Sequence, residues 1–227
     1  DRLNGSTYLD QTTVEILPSI SFTKPFENFS FFGGIHRGYT APSSGALKVT
    51  NFSLDTGLDL KSEKSWNKEI GIRSNSSIKL IEYEISFFHI DIEDMVAAGR
   101  GTKFNNLGKI VTMGSEFSLK AHLNDFININ FSHTYLNTEV KEGVLDQYTF
   151  ISTGGPISIN GNSLPYTPKY TFLIGFDGHI NNTTFRIDYK YVDQVYTDFH
   201  NLEEIGKLGI QGPVPSYNVI NASIGYN

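Results

Sequence analysis

Apolar and polar residues alternate along most of this chain. From residue 81 to 87, Ile81, Tyr83, Ile85 and Phe87 fall on one side, and Glu82, Glu84 and Ser86 on the other. Between 127 and 135 the apolar set is Ile127, Ile129, Phe131 and Tyr135, interrupted by His133, against Asn128, Asn130, Ser132 and Thr134. Phe185, Ile187, Tyr189 and Tyr191 oppose Arg186, Asp188 and Lys190. Val111, Met113, Phe117 and Leu119 alternate with Thr112, Gly114, Glu116, Ser118 and Lys120. A period of two is the mark of a strand with two unlike faces. No window of comparable length keeps a period of 3.6. A short helical turn is expected around Leu202 to Gly206. The pattern predicts ten strands, at 13–22, 28–38, 65–74, 79–91, 108–122, 126–138, 146–152, 166–178, 183–195 and 215–226. The seventh carries the weakest signal.

Two properties separate these strands from ordinary ones. Most run about 10 to 13 residues, whereas strands of globular proteins centre near 5–6 and a tilted strand crossing a bilayer needs ~9–11. The connections also alternate in length. Segments 23–27, 75–78, 123–125 and 179–182 are tight turns rich in Asn, Asp, Ser and Pro. Segments 39–64, 92–107, 139–165 and 196–214 are long. In an up-and-down meander all short turns share one end and all long loops the other. That is the asymmetry of an outer-membrane barrel. The expected fold is therefore all-β: an antiparallel up-and-down transmembrane barrel segment. A soluble β-sandwich also alternates, because one face of each sheet meets water. Strand length and loop asymmetry favour the barrel. Tyr39, Trp66, Tyr135, Tyr166, Tyr170, Tyr196 and Tyr217 lie near strand ends beside long loops, where an interfacial girdle belongs.

Composition sharpens the picture by exclusion. The chain has 227 residues, 18 Lys+Arg against 24 Asp+Glu, and no Cys. Without Cys there is no disulfide scaffold, thiolate metal site or thiol catalysis. A net charge of −6 disfavours nucleic acid, which requires a basic surface. No stretch approaches a membrane-spanning helix, but a barrel meets lipid with every second residue and has the mean hydropathy of a soluble protein.

Six segments, in order, resemble those of TonB-dependent outer-membrane receptors, and of the ferric dicitrate group in particular. They are Phe31-Phe-Gly-Gly-Ile-His-Arg-Gly-Tyr-Thr-Ala-Pro42, Glu63-Lys-Ser-Trp-Asn-Lys-Glu-Ile-Gly-Ile-Arg73, Phe87-Phe-His-Ile-Asp-Ile-Glu-Asp-Met-Val96, Asn106-Leu-Gly-Lys-Ile-Val-Thr-Met-Gly-Ser-Glu116, Gly161-Asn-Ser-Leu-Pro-Tyr-Thr-Pro-Lys169 and Gly212-Pro-Val-Pro-Ser-Tyr-Asn-Val-Ile-Asn221. The resemblance implies a 22-stranded barrel plugged by a separate N-terminal domain, in the outer membrane of a Gram-negative bacterium. It implies uptake of a ferric siderophore, ferric citrate among them, powered through TonB. Residues 1–227 are then expected to be a partial barrel domain, without the plug and without the closing C-terminal strands. A porin-type barrel is the other membrane alternative.

The candidate chemistry follows from these expectations. Glu69, Arg73, Glu84, Glu116 and Arg186 lie on the polar side of their strands and would face the lumen and plug. An anionic ferric chelate calls for cations that pair with carboxylates. His36, Arg37, Arg100 and Lys207, at or in long loops, are the candidate substrate contacts. His89, Asp91 and Glu93 project to one side of a strand, and Asp198, His200, Glu203 and Glu204 cluster in the last loop. Solvated acids account for both groups, so no metal site is assigned. There is no G-x-S-x-G, and Gly154-Gly155-Pro156 and Gly99-Arg-Gly101 lack the Lys-Ser/Thr of a phosphate loop. Neither an enzyme nor a cofactor is expected. The ferric chelate would be cargo.

Overall fold

In the computed structural model the described residues are 14–42, 60–75, 80–98, 104–148, 153–206, 209 and 211–226. They contain thirteen strands: β1 (Ser19–Pro25), β2 (Phe29–Thr40), β3 (Glu63–Ser74), β4 (Ile81–Ala98), β5 (Phe104–His122), β6 (Ile127–Glu142), β7 (Val144–Tyr148), β8 (Thr153–Ser158), β9 (Tyr170–Ile180), β10 (Thr183–Val192), β11 (Val195–Tyr196), β12 (Pro213–Val214) and β13 (Tyr217–Tyr226). Nine form one antiparallel sheet in the order β1-β2-β3-β4-β5-β6-β9-β10-β13. β7 pairs with β8, and β11 with β12, in two small separate sheets. A sandwich needs a second broad sheet packed on the first, and a two-stranded ribbon does not supply one.

The meander runs as expected, with corrections. Of segment 146–152, residues 146–148 do not join the large sheet but belong to β7, which pairs with β8 inside the connection from β6 to β9, and residues 149–152 lie outside the described residues. Short alternation there reflects a loop ribbon, and β6 pairs directly with β9. The first strand begins at Ser19, not near residue 13. The described residues contain no helix, and residues 203–204 form a bend rather than a helical turn.

Asparagine closes the short turns. Asn124 Oδ1 accepts from the backbone of Phe126 (2.8 Å) and Ile127 (2.9 Å), a side chain replacing a backbone acceptor. Asn181, at φ +52, starts the two-residue β9–β10 turn, where a left-handed residue matches strand twist. Asn75, just past β3, is tied to the β1–β2 turn. Its Nδ2 donates to the carbonyls of Phe26 (2.5 Å) and Glu27 (3.3 Å), and its Oδ1 accepts from Ser30 Oγ (2.6 Å).

The register sorts the sheet into two faces. Ile72, Ile85, Phe117 and His133 stand side by side on one, and Arg73, Glu84, Ser118 and Ser132 on the other. The apolar face continues through Phe131, Ile174, Tyr189 and Ile220. Exposure of Phe87 (58%), Ile187 (47%) and Ile220 (67%) shows that nothing among the described residues covers these positions of the band. A soluble protein seldom leaves so broad an apolar surface bare.

β4, β5 and β6 extend well beyond the expected ends, reaching 18, 19 and 16 residues. Past residue 88 the chemistry of the faces reverses. On β4 the apolar side chains become Ile90 and Ile92, on what was the polar side, while His89, Asp91 and Glu93 occupy the other. Asp94, at φ +56, then interrupts the pleat. Above this level Ala97, Leu107, Ile110, Val140, Leu145, Ile159 and Phe199 form a buried cluster, with Ile92, Met95 and Leu164 against it. Fully buried Leu, Ile and Val side chains contribute roughly 1.5–3 kcal/mol each. The first alternation reads only to Phe87, which is why the sequence pattern ends the strand soon after, at residue 91.

Close approach across the sheet relies on glycine. A Cβ on Gly71 would lie 2.5 Å from Phe32 Cζ and 2.6 Å from the Ile85 carbonyl. Phe32 is its cross-strand partner and lies over it. Phe88 covers Gly114 likewise, where a Cβ would also strike the Tyr135 carbonyl. Gly114→Val should therefore destabilise the folded full-length protein by about 1–3 kcal/mol through overpacking. Denaturant titration in lipid checks this, and wild-type stability in the variant would refute the close-approach argument.

Candidate functional site

All five expected interior residues share the polar face. The pairings Ser30–Arg73–Glu84–Ser118–Ser132 and Gly34–Glu69–Phe88–Gly114 place Glu69, Arg73 and Glu84 there. Ser86 opposite Glu116 and Asp177 opposite Arg186 add the other two. A run of contacts crosses four strands near the short-turn end. Glu82 Oε1 lies 3.5 Å from His122 Nε2, and His122 Nδ1 is 2.6 Å from Asn128 Oδ1. Asn128 Nδ2 (2.9 Å) and Asn130 Nδ2 (2.6 Å) both donate to the Asp177 carboxylate. Arg186 Nε donates to Asp188 Oδ2 at 2.7 Å. Asp188 Oδ1, over Gly175, is buried without a hydrogen-bond partner among the described residues.

Among the described residues two hollows of similar size open on this face, beside a smaller one of about 180 Å³ that takes in Glu84, Ser86 and Glu116. One, of about 400 Å³, is lined by His36, Glu69, Arg73 and Glu84 together with Ser21 and Thr23. The other, of about 430 Å³, takes in Arg73, Glu82, Glu84, Lys120 and Asn130. Arg73 also sits 5.3 Å over the Phe32 ring. The face mixes both signs of charge with amides. It suits water and a polar partner, since a charge removed from water needs compensating bonds.

His36 and Arg37 are separated by the pleat. His36 is exposed and belongs to the polar face with Asn67. Arg37 belongs to the opposite face, 5.2 Å over the Trp66 ring and 3.3 Å from Glu93 Oε2. The two are not brought together. Arg100 and Lys207 lie outside the described residues.

His89, Asp91 and Glu93 on β4 also stand on the Arg37 side. Asp91 is held by Lys68 at 2.9 Å and lies 3.6 Å from His89, while Glu93 faces Arg37. Among the described residues no three His, Asp or Glu groups converge as a metal site. Tyr39, Trp66, Tyr135 and Tyr170 fall on the apolar face near the long-loop end, with the last two 5.4 Å apart. Tyr217 does not. It pairs with Val192 and so stands on the polar face, because it lies an odd number of residues from Ile220 on the apolar one.

The long-loop end holds what the pattern did not show. Asn162 Nδ2 donates to the Phe199 carbonyl (2.8 Å), and Asn201 Oδ1 accepts from Ser163 N (2.6 Å). Phe199 itself joins the buried cluster. Thr138 Oγ1 accepts from Leu164 N at 3.0 Å, fixing the same segment to β6. In the last loop Asp198 Oδ1 accepts from His200 N (2.9 Å), and Tyr196 donates to Glu203 (3.2 Å). Partial burial, then the Glu203 carboxylate, raises the Tyr196 hydroxyl above its ordinary pKa. Asn106 pins the approach to β3, accepting from Lys61 N (2.8 Å) and donating to the carbonyls of Lys61 (2.9 Å) and Asp94 (2.7 Å). Asparagine beside glycine or within a turn was the available signal, but it does not name a partner.

No curated protein matches the chain. Solved structures match its fold. The siderophore receptor PiuA from Acinetobacter baumannii aligns at TM-score 0.69 and 20% identity, over 92% of this chain and 29% of that one. The ferric citrate transporter FecA, unliganded, aligns at 0.71 and 19%, over 92% and 30%. The ferric yersiniabactin uptake receptor FyuA from Yersinia pestis aligns at 0.63 and 20%, over 92% and 29%. The chain thus spans under a third of each of these structures. The family model for the TonB dependent receptor-like β-barrel matches residues 1–227. An open meander with one bare apolar face, one charged face and its long loops at one end is a wall of that barrel, and the chain belongs to the TonB-dependent receptor family.

Proposed function

We propose that this chain is part of the barrel wall of an outer-membrane receptor that takes up a ferric siderophore, ferric citrate or a related carboxylate chelate, with energy delivered through TonB. The observation that carries it is the charged face of a family barrel crowned by docked loops. In this reading the apolar face meets outer-membrane lipid. Glu69, Arg73, Glu84, Glu116 and Arg186 line the interior and contact a plug and water. His36 reaches the chelate from the hollow it shares with Arg73. Arg100 and Lys207 contribute from neighbouring loops. Arg37, stacked on Trp66, shapes the start of its loop from outside. The protein performs no covalent chemistry on its cargo and uses no resident cofactor or metal.

The test is uptake of radio-iron by cells carrying the full-length receptor, with citrate, hydroxamate and catecholate chelates compared. Uptake should require TonB. His36→Ala should raise the half-saturating chelate concentration about 10- to 100-fold, in line with one lost hydrogen bond to a charged group, about 1.5–3 kcal/mol. Unchanged affinity would remove His36 from the site. TonB-independent uptake, or open-channel conductance by the intact receptor, would favour a porin instead.

A further inference from the structure

We infer that segments 162–167 and 196–201, from two different long loops, form one preassembled unit, and that Asn201 is the residue that positions them. Three contacts join them, each made through main chain. Tyr166 N donates to the Tyr196 carbonyl at 2.9 Å. Asn162 Nδ2 donates to the Phe199 carbonyl at 2.8 Å. Asn201 holds both main-chain groups of Ser163, accepting from its N–H at 2.6 Å and donating to its carbonyl at 3.0 Å. Asn201 Nδ2 also donates to the Asp198 carbonyl at 3.1 Å, so one amide fixes its own turn and the partner segment together. Its left-handed backbone, φ +51, is one that Asn tolerates better than most residues. Beneath these bonds Phe199 inserts into the cluster of Val140, Leu145 and Ile159, and Leu164 packs there too. Two segments that share an apolar anchor and bond through their backbones open together or not at all. The unit sits at the end where the proposed receptor meets its chelate, so the inference rests on that reading for its consequence: the two segments do not part during uptake.

The full-length receptor carrying Tyr166→Cys and Tyr196→Cys, joined by a reducible thiol cross-linker, tests this directly. Uptake of ferric citrate by the cross-linked form should stay within about twofold of the reduced form, as expected when no opening between them is needed. Uptake that returns only on reduction overturns the inference. A ligand-free readout separates this from failure of the uptake reading. In Asn201→Ala, amide exchange should rise about tenfold or more in 162–167 as well as in 196–201. Asn201→Asp keeps the acceptor for Ser163 N–H and should recover part of the protection. A rise confined to 196–201 overturns the inference even if no chelate is ever transported.

Discussion

Replacing Ile85 by arginine should destabilise the folded full-length receptor in a bilayer by about 2–4 kcal/mol, the cost of a cation near the midplane of a barrel's lipid face. Ile85 sits between Ile72 and Phe117 on the apolar face. On β3 to β5 charge on that face first appears at the level of Lys68 and Asp91, and Lys24, on the edge strand β1, is the one cation beside Phe31 at the Ile85 level among the described residues. Glu84, one residue earlier, points the other way and lines both hollows. Glu84→Ala should cost no more than the ~0–1 kcal/mol of an exposed ionic contact. Denaturant titration of both variants in lipid vesicles decides the matter. Equal losses, or a larger one at Glu84, would mean that the two faces have been assigned the wrong way round.

Phe199→Ala should release the docked segments, removing about 3–5 kcal/mol from their local stability. Phe199 is 8% exposed, and its carbonyl also carries the bond from Asn162. The loss concerns a loop on a separately stable wall. It should therefore appear as faster amide exchange at 159–164 and 196–201, with the global unfolding midpoint little changed. At tenfold per ~1.4 kcal/mol the acceleration should exceed a hundredfold. Phe199→Leu, which keeps most of the apolar volume, should restore most of the protection. Wild-type exchange in Phe199→Ala would show that the backbone bonds hold the loops without the ring.

The architecture was legible because a wall strand has one chemistry per face over many residues. Ile81 to Phe87 and Phe185 to Tyr191 gave the right face in the right order, and the tight turns at Asn124 and Asn181 set the direction of the meander. Residues 146–148 misled because short alternation is equally the mark of a two-stranded ribbon, and only β6–β9 pairing tells them apart. The site was less legible. That His36 and Arg37 lie on opposite faces follows from the pleat, once the strand is known to continue through both to Thr40. The docking of Asn162 and Asn201 against backbone at positions 38 residues apart and nearly so leaves no periodic trace, since a carbonyl acceptor is supplied by any residue.

The reversal of the faces on β4 means that position parity has no fixed meaning along a single strand. Odd positions demand grease below residue 88 and tolerate acids above it, while even positions do the opposite. A polar replacement is then harmful at Ile85 and harmless at Glu84, yet harmful at Ile92 and harmless at Glu93. A mutational map of β4 would show two alternating patterns out of phase. The seam between them marks the height at which the surrounding solvent changes.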